Sequence, residues 1–313
     1  MDLDRKIFVA GHAGMVGSAL VRQLRQRGYS NLLTVPRAEL DLLDQRAVAD
    51  FFCSERPDLV FLAAGKIGGI YANHTYRADF LHENLVIQSN VLHQAFLNDV
   101  QKLLFFACNC IYPKNCPLPM KEDDLLSGPL EPTSEPFAIA KLAGLKLCES
   151  YNRQYGTDFI SVIPTNLYGP QQKTDQLTSL VVPSLMQRIH QAHLRREPRV
   201  AVWGSGRPVR DLLYVDDLAE ASIYLMDNFE GNLVLNVGTG REHSIREIAE
   251  ALVRIVGYQG ELWFDTSLPD GVHSKALDLQ KLTDLGWRYA VDLEEGLRRT
   301  YADFRERFPG DGP

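Results

Sequence analysis

The sequence predicts a doubly wound α/β fold: a parallel sheet covered by helices on both faces, followed by a smaller C-terminal lobe. Two observations carry that expectation. Short apolar runs alternate with helix-like segments through the first half of the 313-residue chain, and strand–helix alternation at this spacing builds a parallel sheet. Crossovers between parallel strands are right-handed, which leaves a doubly wound order as the natural result. Ile7–Ala10 is the first expected strand and Ser18–Gly28 the first helix. Asn31–Val35, Leu59–Ala63, Lys102–Ala107 and Ile160–Pro164 follow as strands, the last after a helix beginning near Ala138. The pattern loosens after Gly169-Pro170, and Val215-Asp216-Asp217-Leu218-Ala219 opens a helix that should return to the first domain. The expected division is therefore 1–170 with 210–232 for one domain, and 171–209 with 233–313 for the lobe.

Composition narrows the function. With 45% hydrophobic and 23% charged residues the chain reads as an ordinary soluble globular protein. Its formal net charge is −7 and no basic tract stands out, which argues against nucleic acid as a partner. The apolar run Ile7–Ala10 is too short for a signal peptide or a membrane span, so no membrane association and a cytoplasmic location are expected. The five cysteines, Cys53, Cys108, Cys110, Cys116 and Cys148, are odd in number and lack zinc-ligand spacing. They read as reduced thiols, and no metal site is expected. Cys108 and Cys110 should share one face of a strand, where an extended backbone holds such neighbours too far apart for easy bridging. The tail Pro309–Pro313 has the composition of a disordered segment.

The first strand runs into Gly11-His12-Ala13-Gly14-Met15-Val16-Gly17-Ser18. Gly-x-x-Gly-x-x-Gly between a strand and a helix lets backbone amides approach a pyrophosphate at the helix N-terminus. Gly11, His12, Gly14, Met15, Val16 and Gly17 are accordingly candidate dinucleotide contacts. The second strand ends in Arg37, not in the acidic residue that would bind the ribose 2′-hydroxyl of NAD, and a guanidinium suits the extra phosphate of NADP. NADP(H) is the favoured cofactor and NAD(H) the alternative; the plainer reading of Arg37 is a solvated surface residue. Asp41 is placed near the adenine, and Ala63-Ala64 close beneath the dinucleotide. Ordinary helix–sheet packing explains the two alanines equally well.

Several further stretches join this loop in resembling one family. They are Lys66-Ile67-Gly68-Gly69-Ile70, Cys110-Ile111-Tyr112-Pro113-Lys114, Pro164-Thr165-Asn166-Leu167-Tyr168-Gly169-Pro170, Val202-Trp203-Gly204-Ser205-Gly206 and Pro269-Asp270-Gly271. Together they resemble the GDP-L-fucose synthase family of extended short-chain dehydrogenases, Rossmann-type proteins, from about residue 5 to about residue 305. The resemblance implies epimerisation of a GDP-linked 4-keto-6-deoxy-hexose at C3 and C5, followed by reduction at C4 with NADPH. It also implies a homodimer joined through the helices near Asn84–Leu97 and Ala138–Arg153. Pro164, Asn166 and Leu167 match cofactor-side positions. Lys66, Gly69, Asn166, Val181, Arg188, Trp203, Arg210, Asp270 and Lys275 match positions on the substrate side.

The departures fall on the chemistry. The family's Ser-Ser-Cys triplet is Cys108-Asn109-Cys110 here, its catalytic Tyr is Phe137, and its Lys is kept as Lys141. The His that precedes a Val-Ile-Pro run in the family is Leu180, and the loop after Gly-Pro becomes Gln171-Gln172-Lys173. Phe137 has no ionisable proton to deliver to a nascent alkoxide, Cys108 carries only a weak S–H donor, and Leu180 cannot return a proton. Cys110 remains a candidate thiolate base, and Lys141 a candidate contact to the nicotinamide ribose. His74, Tyr112 and Tyr168 are further proton sources near the expected site, although a packed or solvent-facing role suits a lone His better. The sequence therefore supports two readings: an NAD(P)-dependent enzyme on a GDP-sugar or a different substrate with altered chemistry, or a silent protein that binds nucleotide sugar or NADP.

Overall fold

In a computed structural model, residues 1–172, 180–268 and 270–308 are described, with the side chain of Ile70 left aside. Lys173 in the altered loop, Pro269 and the tail 309–313 lie outside them.

Six strands form the main sheet: β1 (Ile7–Ala10), β2 (Leu32–Leu33), β3 (Leu59–Leu62), β4 (Lys102–Phe106), β5 (Phe159–Pro164) and β9 (Val234–Val237). All neighbours run parallel in the order β2-β1-β3-β4-β5-β9. Because side chains alternate across a strand, Ile7 and Val9 enter one core while Phe8 and Ala10 enter the other. The first core lies under α1 (Met15–Gln26) and α7 (Val215–Asn228), where Leu20 and Leu24 meet Leu218 and Leu225. The second lies under α2 (Gln45–Glu55), α4 (Arg77–Leu97) and α5 (Glu135–Tyr155), and contains Phe52, Val91 and Leu145. The doubly wound sheet and the return of the helix at Val215 are as the sequence predicts.

The lobe holds a third core. A three-stranded sheet of β10 (Glu242–Ser244), β8 (Val209–Tyr214) and β6 (Asn166–Tyr168) packs with α6 (Val181–Leu194), α8 (Ile245–Val256) and α10 (Leu293–Arg307). A parallel pair, β7 (Arg199–Trp203) with β11 (Glu261–Asp265), completes it.

Three expectations need correction. The sixth strand of the main sheet, β9, falls inside the 233–313 segment assigned to the lobe: Val234-Leu235-Asn236-Val237 pairs with Ser161–Pro164 and buries Leu235 and Val237 completely. A four-residue run carries no helix after it to advertise its sheet. The first helix starts at Met15, one turn before Ser18, since Gly14 already serves as its N-cap. The fifth starts at Glu135, before Ala138, because Pro136 sits in its first turn, where a missing N–H costs nothing.

Candidate functional site

The dinucleotide end is built from backbone. Gly11 has φ +85°, and a Cβ there would lie 2.7–2.9 Å from backbone atoms of Ala63 and Ala64. Gly17 faces the Gly11 carbonyl so closely that a side chain would overlap it. The strand end, the loop and the Ala63-Ala64 segment therefore touch main chain to main chain, leaving a cradle that only small residues permit. Helix α1 opens on this cradle with no side-chain cap and no acidic residue in its first turn. By contrast, α2, α8 and α10 are each capped by a side chain, from Asp44, Ser244 and Asp292. Free N–H groups and the positive end of the helix dipole are thus presented to an anion, which fits a dinucleotide pyrophosphate. Met15 and Val16 pack against the core beneath, and His12 is half-buried in the loop. Arg37 is 70% exposed and, among the described residues, pairs with Asp41 at 3.3 Å. Exposed pairs of this kind are worth about 0–1 kcal/mol, so a phosphate competes for the guanidinium at little cost.

The region where the family resemblance puts proton transfer is built from side chains on α5 and on the turn after β4. Lys141, 5% exposed, donates its ammonium hydrogen to the Phe106 carbonyl at 2.9 Å and lies over the Phe105 ring. Burial holds its pKa down at about 8. One turn earlier on the helix, Phe137 meets Phe80 edge-on with centroids 6.1 Å apart. It forms a small apolar cluster with Ala72 and Phe80, against which Cys108 and Cys110 pack. A phenyl ring thus belongs to the apolar cluster on which both cysteines pack, and no hydroxyl is supplied by this position.

The expectation of reduced, unbridged thiols at Cys108 and Cys110 is overturned: their sulfurs are bonded. Two residues of extended strand advance about 6.6 Å. Here the chain leaves the extended state at Cys108 and enters a 3₁₀ turn over Asn109–Ile111, which shortens the Cα–Cα separation to 5.4 Å. Disulfides span that distance readily. Asn109, between them, has a buried side-chain amide nitrogen without a protein partner.

Two of the other candidate proton sources, Tyr112 and Tyr168, are taken up in cores. The Tyr112 hydroxyl is buried and donates to the Asn236 side-chain oxygen at 2.7 Å, while burial pushes its pKa far upward. Tyr168 is fully buried in the lobe core, with its pKa raised for the same reason. His74 is exposed on the short helix α3 (Ile70–Thr75). Gly69 caps that helix and is buried, its carbonyl accepting from the Asn73 side chain at 3.0 Å.

On the substrate side, Lys66 turns its ammonium to Glu83 and Asp79 of α4, and its hydrogen bond to Glu83 raises its pKa. Asn166 donates to the Asp211 carbonyl at 3.2 Å, next to Pro164 at the end of β5; Leu167 packs on the first core. Leu180 and Val181, at the start of α6, are 42% and 36% exposed. Arg188 donates to the Ala201 carbonyl at 3.0 Å and lies over the ring of Trp203, itself 69% exposed. Arg210 donates to the Val272 carbonyl at 2.9 Å. Burial lowers the pKa of Arg210 and of Lys275, and the charge of Arg210 lowers Lys275 further. Two neighbouring, partly desolvated cations form a place where an anion such as a diphosphate is favoured. Asp270 instead braces the loop: it accepts from the Ser205 backbone at 2.8 Å and from its hydroxyl at 2.7 Å.

A cavity of about 330 Å³ is lined by Arg188, Arg195, Arg199 and Trp263, and it touches neither Cys108 nor Lys141. Two supporting residues escaped the sequence reading. Asn84, buried in α4, accepts from the Lys66 backbone N–H at 3.0 Å and donates to its carbonyl at 3.1 Å, pinning the strand exit. Asp211, buried in β8, accepts from the backbone N–H groups of Thr239 and Gly240. Each is a polar residue buried by the fold, and no local sequence pattern sets it apart from the other polar residues of its element.

Comparison with known proteins agrees with this architecture. The profile of the "NAD dependent epimerase/dehydratase family" matches residues 7–238. GDP-L-fucose synthase of Escherichia coli strain K12 is 53% identical, covering 98% of this chain and 99% of that enzyme. GDP-L-fucose synthase 1 of Arabidopsis thaliana is 50% identical, covering 96% and 93%. Among solved structures, MlghC, a GDP-mannoheptose C4 reductase from Campylobacter jejuni with NADP bound, superimposes with a TM-score of 0.89 at 41% identity, covering 97% and 99%. With the glycine cradle, the bare helix end and the paired arginine and lysine in place, the chain belongs to the NAD dependent epimerase/dehydratase family.

Proposed function

We infer that this protein is an NADP(H)-dependent enzyme acting on a GDP-linked sugar, whose reductive proton transfer is rebuilt relative to its fucose-synthase-like relatives. The observation that carries this reading is the pairing of an intact dinucleotide cradle with Phe137 at the proton-donor position, packed on Cys108 and Cys110. When bound, NADPH supplies hydride to a carbonyl carbon. Lys141 holds the strand end at Phe106 and offers its charge to the nicotinamide side. Arg210, Lys275 and Arg188 draw the diphosphate, with Trp203 against the sugar-nucleotide. The alkoxide formed by hydride arrival lacks a hydroxyl donor from residue 137, and losing one such donor costs about 100- to 1000-fold in rate. Epimerisation has a base only when Cys110 is a free thiolate, and Leu180 offers no acid on the opposite face. One-sided proton exchange next to the carbonyl is therefore the reaction this chain's residues support best, with slow reduction.

The remaining expectations form part of the same proposal. The segments 1–170 and 210–232, together with β9, serve the dinucleotide, and the rest serves the nucleotide sugar. A homodimer through α4 and α5 is supported by Leu97 and Tyr155, each more than half exposed on adjacent helices, with Phe96 stacked on Tyr155 at 4.4 Å. No helix among the described residues is long and apolar enough to cross a membrane, and the cytoplasm is the proposed location.

The deciding experiment is incubation with GDP-4-keto-6-deoxy-mannose in deuterated water, with and without NADPH, followed by mass spectrometry and NMR. Deuterium beside the carbonyl, with reduction far slower than in the E. coli relative, is expected. Reduction as fast as that relative's would overturn the reading. Tight binding of both ligands without exchange or product would mark a silent binding protein.

A further inference from the structure

We propose that Cys108 and Cys110 form a reversible thiol–disulfide site that takes small-molecule disulfides as its oxidant and, when closed, withdraws the Cys110 sulfur from proton chemistry. Its significance for turnover rests on the function inferred above; the thiol chemistry itself does not.

Three features point to it. The 3₁₀ turn over Asn109–Ile111 sets the two sulfurs together through local backbone geometry, with a Cα–Cα separation of 5.4 Å and no help from a distant segment. Both residues are only half-buried, so a small disulfide reaches them. The remaining cysteines are free, and two are poor competitors: burial and Asp124 push the Cys116 thiol up to about 11, and full burial pushes Cys148 up to about 12. Cys53 is exposed on α2, away from this turn and without a partner. A family position that holds Ser would leave Cys110 alone; Cys108 gives it a resolving partner.

The step balances as ordinary thiol–disulfide exchange. The Cys110 thiolate attacks one sulfur of glutathione disulfide, forming a mixed disulfide and releasing one glutathione thiolate. The Cys108 thiol loses its proton to solvent and its sulfur attacks Cys110 Sγ, expelling the second glutathione. Two protein thiols and one glutathione disulfide become one protein disulfide and two glutathione molecules. Dithiothreitol reverses the sequence.

The test follows one peptide. Trypsin releases Leu103–Lys114, which contains Cys108 and Cys110 and no other cysteine. Folded protein is reduced, exposed to glutathione disulfide, alkylated and digested. The expected result is loss of both alkylation sites with a peptide about 2 Da lighter than the unalkylated dithiol form, and full recovery of both sites after dithiothreitol. The Cys108→Ser variant, checked for native circular dichroism, should stop at a stable glutathione adduct on Cys110. Retention of both alkylatable thiols in the wild type, accumulation of the glutathione adduct there, or a bond that dithiothreitol cannot open in the folded protein would each overturn the proposal. Deuterium exchange at the sugar should fall at least about 10-fold on closure and recover on reduction; exchange that persists through closure defeats the withdrawal of Cys110. Absence of exchange in both redox states counts against the enzymatic reading alone, since alkylation of Cys110 reports its withdrawal independently.

Discussion

The glycine cradle at Gly11 and the region around Phe137 are made from different materials. Around Gly11 the contacts are main chain to main chain, and the groups that face an anion are amide N–H groups every residue possesses. Around Phe137 and Cys108 the chemistry depends on what each side chain carries at its tip. A site made of backbone survives any substitution that keeps its glycines, whereas one changed side chain converts a donor into an apolar wall. In a chain 53% identical to GDP-L-fucose synthase of Escherichia coli, the two regions thus differ in whether backbone or side-chain identity sets their character.

The sharpest way to break this contrast is to put a side chain into the cradle. Gly11→Ala places a methyl within 2.7–2.9 Å of the Ala63-Ala64 backbone at φ +85°. Strained backbone alone costs about 1–3 kcal/mol, so NADPH affinity should drop by about 5- to 150-fold, read by fluorescence titration alongside a thermal melt. Unchanged affinity would refute a cradle made of backbone.

Phe137→Tyr addresses the other region. Restoring a hydroxyl next to Cys108 should raise NADPH consumption with the 4-keto sugar by about 100- to 1000-fold, while NADPH affinity stays within about 2-fold. A variant that gains nothing would move the proton deficit to Cys108 or Leu180. Adding Cys108→Ser separates those two.

Lys141 offers a pH test. Its folded pKa of about 8 lies below the ordinary 10.5, so between those values the unfolded chain binds a proton that the folded one has released. Stability from this group therefore rises with pH across that window and is lost as pH falls below about 8, where the charge must be buried. Unfolding free energies from denaturant titrations should climb by about 1–3 kcal/mol more between pH 7 and 10 in the wild type than in Lys141→Met. Parallel curves would mean that Lys141 is better solvated than its surroundings indicate.

The smallest effect belongs to Arg37. Arg37→Ala should narrow the preference for NADPH over NADH by about 10-fold and change stability by no more than about 0.5 kcal/mol, since its pair with Asp41 is exposed. An unaltered preference would return Arg37 to the status of a solvated surface residue.

Legibility followed the same division. The glycine loop announced itself by spacing, and the first five strands of the main sheet were legible near their bounds, whereas β8 and β10, which run straight into α7 and α8, were not. The strand β9 fell to the wrong lobe because a four-residue run with three apolar side chains says nothing about which sheet it joins. Asn84 was passed over because its value lies in reaching the Lys66 backbone from 18 residues away. Lys66, expected on the substrate side, has its ammonium paired with two acids on α4, a partnership no local pattern announces.

The chemical inventory was fixed in the amino-acid order: which groups can ionise, which positions tolerate positive φ, and the absence of a hydroxyl at residue 137. Only the folded chain decided that a 3₁₀ turn brings Cys108 and Cys110 into bonding contact, that Tyr112 and Tyr168 are consumed in buried cores, and that Arg210 and Lys275 share one anion-seeking corner. Local backbone preference is written residue by residue. Proximity between distant side chains is set by packing, and packing belongs to the whole.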